Sequence, residues 1–143
     1  MGMQILVAVD LGETMPTIIQ YATALLGDRE GSIDLLHVNA RINAPTMGHP
    51  AAKEFFRNFT GSNAEEQEEL DVVMRAFVPD HQWGEVLVRS GEPANEVIAQ
   101  AQAKEYDLVV VGTTARTGLS AVLIGSVAER VVRNAPGPVL VVR

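Results

Sequence analysis

DLVVVGTTARTGLSAVLIGSVAERVVRNAPGPVLVVR, from Asp107 to Arg143, holds a strand, a glycine-bearing loop, a helix and a second strand in one run. Asp107 to Val111 has the β-branched density of a strand buried on both faces. The loop Gly112-Thr113-Thr114-Ala115-Arg116-Thr117-Gly118 comes next, and a helix opens at Gly125-Ser126 and runs to about Arg133. Pro138 to Val142 is again a short apolar strand. Two strands joined by a crossover helix pair in parallel, so this stretch reads as a βαβ unit.

The same alternation continues toward the N-terminus. Gln4 to Asp10, QILVAVD, is apolar almost throughout. A helix from about Thr14 to Leu26 sets Met15, Ile18, Ile19, Ala22, Leu25 and Leu26 at helical spacing, tolerates Pro16 in its first turn and ends at Gly27. Ile33 to Val38 is the second strand and Glu85 to Val88 the third. Between them Ser62 to Phe77 is helical, with Leu70, Val73, Met74 and Phe77 on one face. Glu65, Glu66, Glu68, Glu69 and Asp71 lie toward its start, where carboxylates favour the helix dipole, and read as a solvated face. Arg89 to Pro93 turns into a helix from about Pro93 to Lys104 carrying Val97, Ile98 and Ala101. The expected class is therefore α/β: one doubly wound, five-stranded parallel sheet, Rossmann-like, with four helices on its two faces. Residues 39 to 60 show no clear period; Phe55, Phe56 and Phe59 there begin a helix or seal the sheet edge, and loops of this length are otherwise functional or mobile.

At 143 residues the chain has the size of one domain, spanning residues 1–143. Hydrophobic residues make up 47% and charged residues 20%, as in folded, water-soluble proteins. Eleven Lys and Arg against eighteen Asp and Glu give a net charge of −7, a field that repels nucleic acid and anionic membrane surfaces. The absence of Cys removes disulfides, thiolate metal sites and cysteine nucleophiles, and fits a cytoplasmic location. No apolar run approaches the roughly 18 residues of a membrane span, and MGMQILVAVD has no basic region before its apolar stretch, so no signal peptide is expected. Leu6 stands where an N-myristoylation signal needs Ser or Thr, and Met3 offers an alternative start that would make residues 1–2 a cloning scar.

In an open α/β sheet, ligands bind beyond the carboxyl ends of the strands where strand order reverses, which directs attention to the loops after the first and fourth strands. Glycine lets a backbone approach a phosphate closely, and a helix N-terminus offers free N–H groups and the positive end of a dipole. Ser126 either adds a hydroxyl to the same oxygens or caps its helix. Asp10 either bonds a ribose hydroxyl or metal-bound water, or caps the helix that starts near Thr14. With Lys53 and Lys104 as the only lysines, no GxxxxGK[ST] occurs, and no GxGxxG follows the first strand. Leu11-Gly12-Glu13-Thr14 is too poor in hydroxyls for a flavodoxin-type phosphate loop. His37, His49 and His81 have no ligand spacing, and His37, late in a buried strand, fits a satisfied core or edge histidine. Ser120 and Ser126 have no evident base, and Asp10, Glu13 and Glu92 form no acid–base spacing. No catalytic residue and no protein metal site are expected, so any chemistry would rest on bound nucleotide and metal.

Val109 to Arg143 closely resembles the C-terminal signature of the universal stress protein family, and ILVAVD, LLHV and SGEPANEVI resemble its other landmarks in order and spacing. The likeness covers nearly the whole chain and is weakest from Ala40 to Gly84. The nucleotide-binding branch carries G-x2-G-x9-G-[ST]; Gly112, Gly125 and Ser126 match, while Ala115 replaces the second glycine. The resemblance implies strand order 3-2-1-4-5, a homodimer through Pro138 to Val142, and an adenine nucleotide such as ATP, with Mg²⁺ held mainly by the phosphates. It further implies Asp10 near ribose and phosphates, Val38 offering backbone groups to adenine, and Gly112, Thr113, Gly125, Ser126 and Val127 around the phosphates, with Arg116 either neutralising them or solvating the surface. The implied role is an ATP-binding stress-response switch with little or no hydrolysis; the alternative is a nucleotide-free dimeric interaction module whose glycines serve packing. A hydrolase with physiological turnover would need transition-state groups that the sequence does not supply.

Overall fold

The computed structural model describes residues 2–39, 63–113 and 125–143. In order these form β1 (Met3–Val9), α1 (Met15–Leu26), β2 (Gly31–Asn39), α2 (Asn63–Phe77), a 3₁₀ turn (Asp80–Gln82), β3 (Trp83–Ser90), α3 (Pro93–Ala103), β4 (Leu108–Gly112), α4 (Ser126–Asn134) and β5 (Val139–Val142). The strands form one parallel sheet in the order β3-β2-β1-β4-β5, as expected. The expectations for Phe55, Phe56 and Phe59 lie outside the described residues.

Period-two alternation along β1 divides the interior into two cores. Ile5, Val7 and Val9 pack with Ile18, Ile19, Ala22 and Leu26 of α1 and with Leu70, Val73 and Met74 of α2. Leu6 points to the other side, where Val97 and Ala101 of α3 and Ala128 and Val131 of α4 close over Val109 and Val111. Each fully buried Leu or Ile contributes about 2 kcal/mol of transfer free energy. Gly27 ends α1 at a φ of 56°, a conformation costly for any residue with a Cβ, and its N–H donates to Thr23 O at 2.9 Å.

Two side chains assigned to helix cores lie elsewhere. Leu25 is 43% exposed because it stands at the margin of the α1 stripe. Phe77, the last residue of α2, is 38% exposed, and Val78 just beyond it takes the inward position. Nothing in the sequence pattern announces the buried charge Asp34, which lies in β2 beneath α3. It is stabilised by Lys104 Nζ at 2.8 Å, the Tyr106 hydroxyl at 2.7 Å and the Glu85 N–H at 2.8 Å. Burial, together with the bond to Asp34, holds the Tyr106 hydroxyl well above its ordinary pKa. Among the described residues no helix is long and apolar enough to cross a membrane.

Candidate functional site

Sheet order reverses between β1 and β4, whose strands are hydrogen-bonded neighbours. Beyond their carboxyl ends lies a cavity of about 450 Å³. β1 leads into it with Val9 and Asp10, β2 contributes His37, Val38 and Asn39, and β4 contributes Gly112 with Thr113 following. Thr14 and Ile18 come from the start of α1, Pro93 and Val97 from α3, and Val127 from α4. The sequence-derived residues Asp10, Val38, Gly112, Thr113 and Val127 thus line one cavity. Gly125 and Ser126 immediately precede Val127 and are not among the lining residues; Ala115 and Arg116 lie outside the described residues.

Asp10 decides between its two readings. The cap position of α1 is Thr14, with no side-chain hydrogen bond, so Asp10 does not cap that helix. Its Oδ1 is buried and has no hydrogen-bond partner among the described residues. A buried acceptor left in this state is costly, and a donor brought by a ligand relieves the cost.

Gly112 has an ordinary negative φ, so freedom of backbone rotation does not explain it. The reason is close approach: a Cβ at this position would lie 2.4 Å from Ile18 Cδ1. The glycine lets the first turns of α1 settle on the end of β4, which shapes the cavity wall from behind.

The two helices opposite α1 differ at their N-termini. At α3, Glu92 accepts from the backbone N–H groups of Ala94 (3.3 Å) and Asn95 (2.9 Å) and pairs with Arg130 at 2.8 Å. Burial works against its charge, but these N–H groups and Arg130 outweigh it and hold its carboxyl below the ordinary value. The positive end of α3 therefore already has an anion of the chain's own. At α4 the cap position is Gly125, with φ −58° and ψ 152°, a residue with no side chain to bond the first turn. Ser126 is the first helical residue and is exposed, which overturns the reading of Ser126 as the helix cap. Among the described residues the α4 N-terminus thus has no capping carboxylate like that of α3, and its positive end favours an anion.

The β2 wall carries side chains that the sequence reading did not place in the site. His37 Nδ1 lies 3.0 Å from Val9 O; a carbonyl only accepts, so Nδ1 carries a proton and that nitrogen is satisfied. Its Nε2 is 3.9 Å from Glu66 Oε2 of α2. Asn39 Nδ2 donates to both Glu66 oxygens, at 3.1 and 3.0 Å. The available signal was position: His37 and Asn39 flank Val38 at a strand's carboxyl end, and Pro93 opens the helix after the SGEP turn. Among the described lining residues there is no Lys or Arg, and no described group of three His, Asp or Glu is placed to hold a metal ion.

A family model described as the universal stress protein family matches residues 1–143. The chain belongs to the universal stress protein family. This universal stress protein is 41% identical over 103 residues to a universal stress protein of Methanocaldococcus jannaschii, a match that takes in 70% of this chain and 59% of that protein's length. Among solved structures it is similar to hypothetical protein MJ0577 of the same organism, with a TM-score of 0.78 at 23% identity over 98% of this chain and 94% of that one. It is also similar to a universal stress protein in complex with cAMP (TM-score 0.62, 18% identity, 99% and 97% covered). The Archaeoglobus fulgidus protein in complex with dAMP gives a TM-score of 0.59 at 21% identity, with 99% and 98% covered. At these identities the structural likeness concerns the fold.

Proposed function

We propose that this universal stress protein binds ATP or another adenine nucleotide in the β1–β4 cavity and acts as a stress-response switch in the cytoplasm, with little or no hydrolysis. The observation that carries the reading is the buried Oδ1 of Asp10 in the cavity wall, unpartnered among the described residues, an acceptor that a ribose hydroxyl satisfies. The α4 N-terminus at Gly125 and Ser126, together with the cavity-lining Val127, Gly112 and Thr113, takes the phosphates. The base then lies at the far end, against β2 and Val97, within reach of the Val38 backbone. A polyphosphate meets no Lys or Arg among the described lining residues, so Mg²⁺ rides mainly on the phosphates; Arg116, outside the described residues, either adds to this neutralisation or solvates the surface. The described lining residues include no Lys, Arg or acid–base pair placed for a transferring phosphoryl group, which supports slow or absent hydrolysis. The cAMP and dAMP complexes of related folds support the choice of an adenine ligand.

Calorimetric titration of nucleotide-stripped protein with ATP and Mg²⁺, run beside Ala115→Gly, tests the reading. Micromolar binding by the unaltered protein is expected; absence of binding by both proteins overturns it. One observation favours the second reading, a nucleotide-free dimeric module: Gly112 has a packing role against Ile18 that needs no ligand. Binding by the glycine variant alone would move the chain to that reading.

A further inference from the structure

The cavity has two chemically distinct ends, and the end at β2 holds a side-chain amide whose orientation is fixed. Asn39 lines the cavity, and its Nδ2 gives hydrogen bonds to Glu66 Oε1 and Oε2. A carboxylate accepts and does not donate, so the amide nitrogen must face Glu66 and the amide oxygen must face away. Flipping the amide would set Oδ1 against two carboxylate oxygens and forfeit both bonds. His37 approaches the same carboxylate from the cavity side of β2, with Nε2 3.9 Å from Oε2, and Gln67 of α2 donates to Val86 O at 2.9 Å. The Gln67 bond ties α2 to β3 beside Glu66, and the two bonds from Asn39 fix the carboxylate against the end of β2. The backbone of Asn39 is committed as well, since its carbonyl accepts from Gly91 N–H at 3.0 Å.

We propose that Asn39 is a specificity-determining residue for the base: Oδ1, held outward by Glu66, accepts from the exocyclic amine of a 6-aminopurine and disfavours a 6-keto purine. The inference rests on the nucleotide reading above, and on the orientation that reading derives from the N-terminus of α4. A 6-amino group donates to this oxygen. A 6-keto group sets two acceptors face to face, or requires the amide to flip and abandon Glu66. Glu66 does not touch the ligand; it is a positioning residue that acts through Asn39.

ATP and inosine triphosphate differ at this edge of the base, with an amine in one and a carbonyl in the other, and carry the same ribose and phosphates. Their affinities, measured by calorimetry with Mg²⁺, are compared for the unaltered protein, Asn39→Leu and Glu66→Gln. The unaltered protein is expected to prefer ATP by about tenfold or more, the discrimination of one made against one frustrated buried hydrogen bond. The ratio is expected to fall at least about fivefold in Asn39→Leu. Glu66→Gln keeps the shape of the side chain while letting the Asn39 amide turn, so it admits inosine triphosphate and lowers the ratio as well. The ratio is the readout because a weakened fold lowers both affinities together, and Glu66→Gln gives the answer if Asn39→Leu does not fold. ATP bound with an unchanged ratio in the variants, or no preference in the unaltered protein, overturns the role of Asn39 and leaves nucleotide binding standing. Failure of the unaltered protein to bind either nucleotide overturns both.

Discussion

Asp10 keeps a buried oxygen without a partner among the described residues, and leaving a polar atom in that state costs a fold about 1–3 kcal/mol. A residue retained at such a cost in a cavity wall is one whose benefit comes with a ligand. Asp10→Ala is therefore expected to leave the nucleotide-free protein as stable as before, or more stable by about 1 kcal/mol, while nucleotide affinity falls tenfold or more. Thermal unfolding and calorimetry on the same sample check this; a stability loss with affinity intact would make Asp10 a structural residue. Gly112 is the opposite case, since its reason lies in packing. Gly112→Ala brings a methyl against Ile18 Cδ1, the end of a side chain that can turn toward the cavity, and is expected to cost no more than about 1 kcal/mol. Ile18→Val removes that Cδ1, so the double variant should recover much of the loss, a coupling that denaturant unfolding of the four proteins reads directly. Lys104→Met tests the buried carboxylate Asp34, which would keep Tyr106 and the Glu85 N–H but lose its counter-charge. Lys104 is partly exposed, so a loss of about 2 kcal/mol is expected in urea unfolding rather than the full cost of an unpaired buried ion.

Among the elements, α3 and α4 divide the labour of their N-termini. Glu92 neutralises α3 from within the chain, and its carboxyl is held below the ordinary value of 4.5. A depressed folded value means that the unfolded chain binds the proton first as pH falls. The contribution is thus fully present above about pH 5 and is lost as pH drops through the folded value. Glu92→Gln keeps the shape and an acceptor but has no charge to lose. Acid unfolding should therefore show a shallower decline below pH 5 for the variant than for the unaltered protein; identical profiles would mean that Glu92 adds no pH-dependent stability. How far these elements were legible in sequence follows from the range of the forces that make them. The runs ILVAV and LVVV mark buried strands, and the apolar stripe of α1 marks its buried face, because burial by a neighbouring layer imposes a period on the local sequence. Asp10 and Val38 were legible as strand ends. Asn39 and Glu66 were not, since 27 residues separate them and only the placement of α2 beside β2 makes one the partner of the other. Asp34 escaped for the same reason, its partner Lys104 being 70 residues away. The exposure of Phe77 reflects its place as the last residue of α2, which periodicity cannot see.

For the whole molecule, the open question of chemistry is the edge formed by β5. Pro138 O accepts from Val109 N–H and Val142 O from Thr113 N–H, both at 3.0 Å, so alternate residues of this strand face β4. Val139 and Val141 lie between them and turn their N–H and C=O groups to the open side. A four-residue edge of valines and leucine with no neighbouring strand on its outer side among the described residues is a template for a second strand, and we propose that a second copy of this chain supplies it. Proline at an outward-facing position removes a donor from the edge without touching the ladder to β4, so Val141→Pro is expected to sediment as a monomer with its circular dichroism preserved. Val141→Ala trims the same side chain but keeps the N–H, and should remain a dimer of twice the 15.4 kDa chain mass. Each chain carries a net charge of −7, so two copies repel at long range. Added salt screens that repulsion while leaving backbone bonds and apolar contact in place, and the dimer should therefore tighten between low and physiological ionic strength. An unaltered protein that sediments as a monomer at micromolar concentration under both conditions would overturn the β5 dimer, and a Val141→Ala variant that dissociates like Val141→Pro would assign the contact to side-chain packing instead of the strand edge.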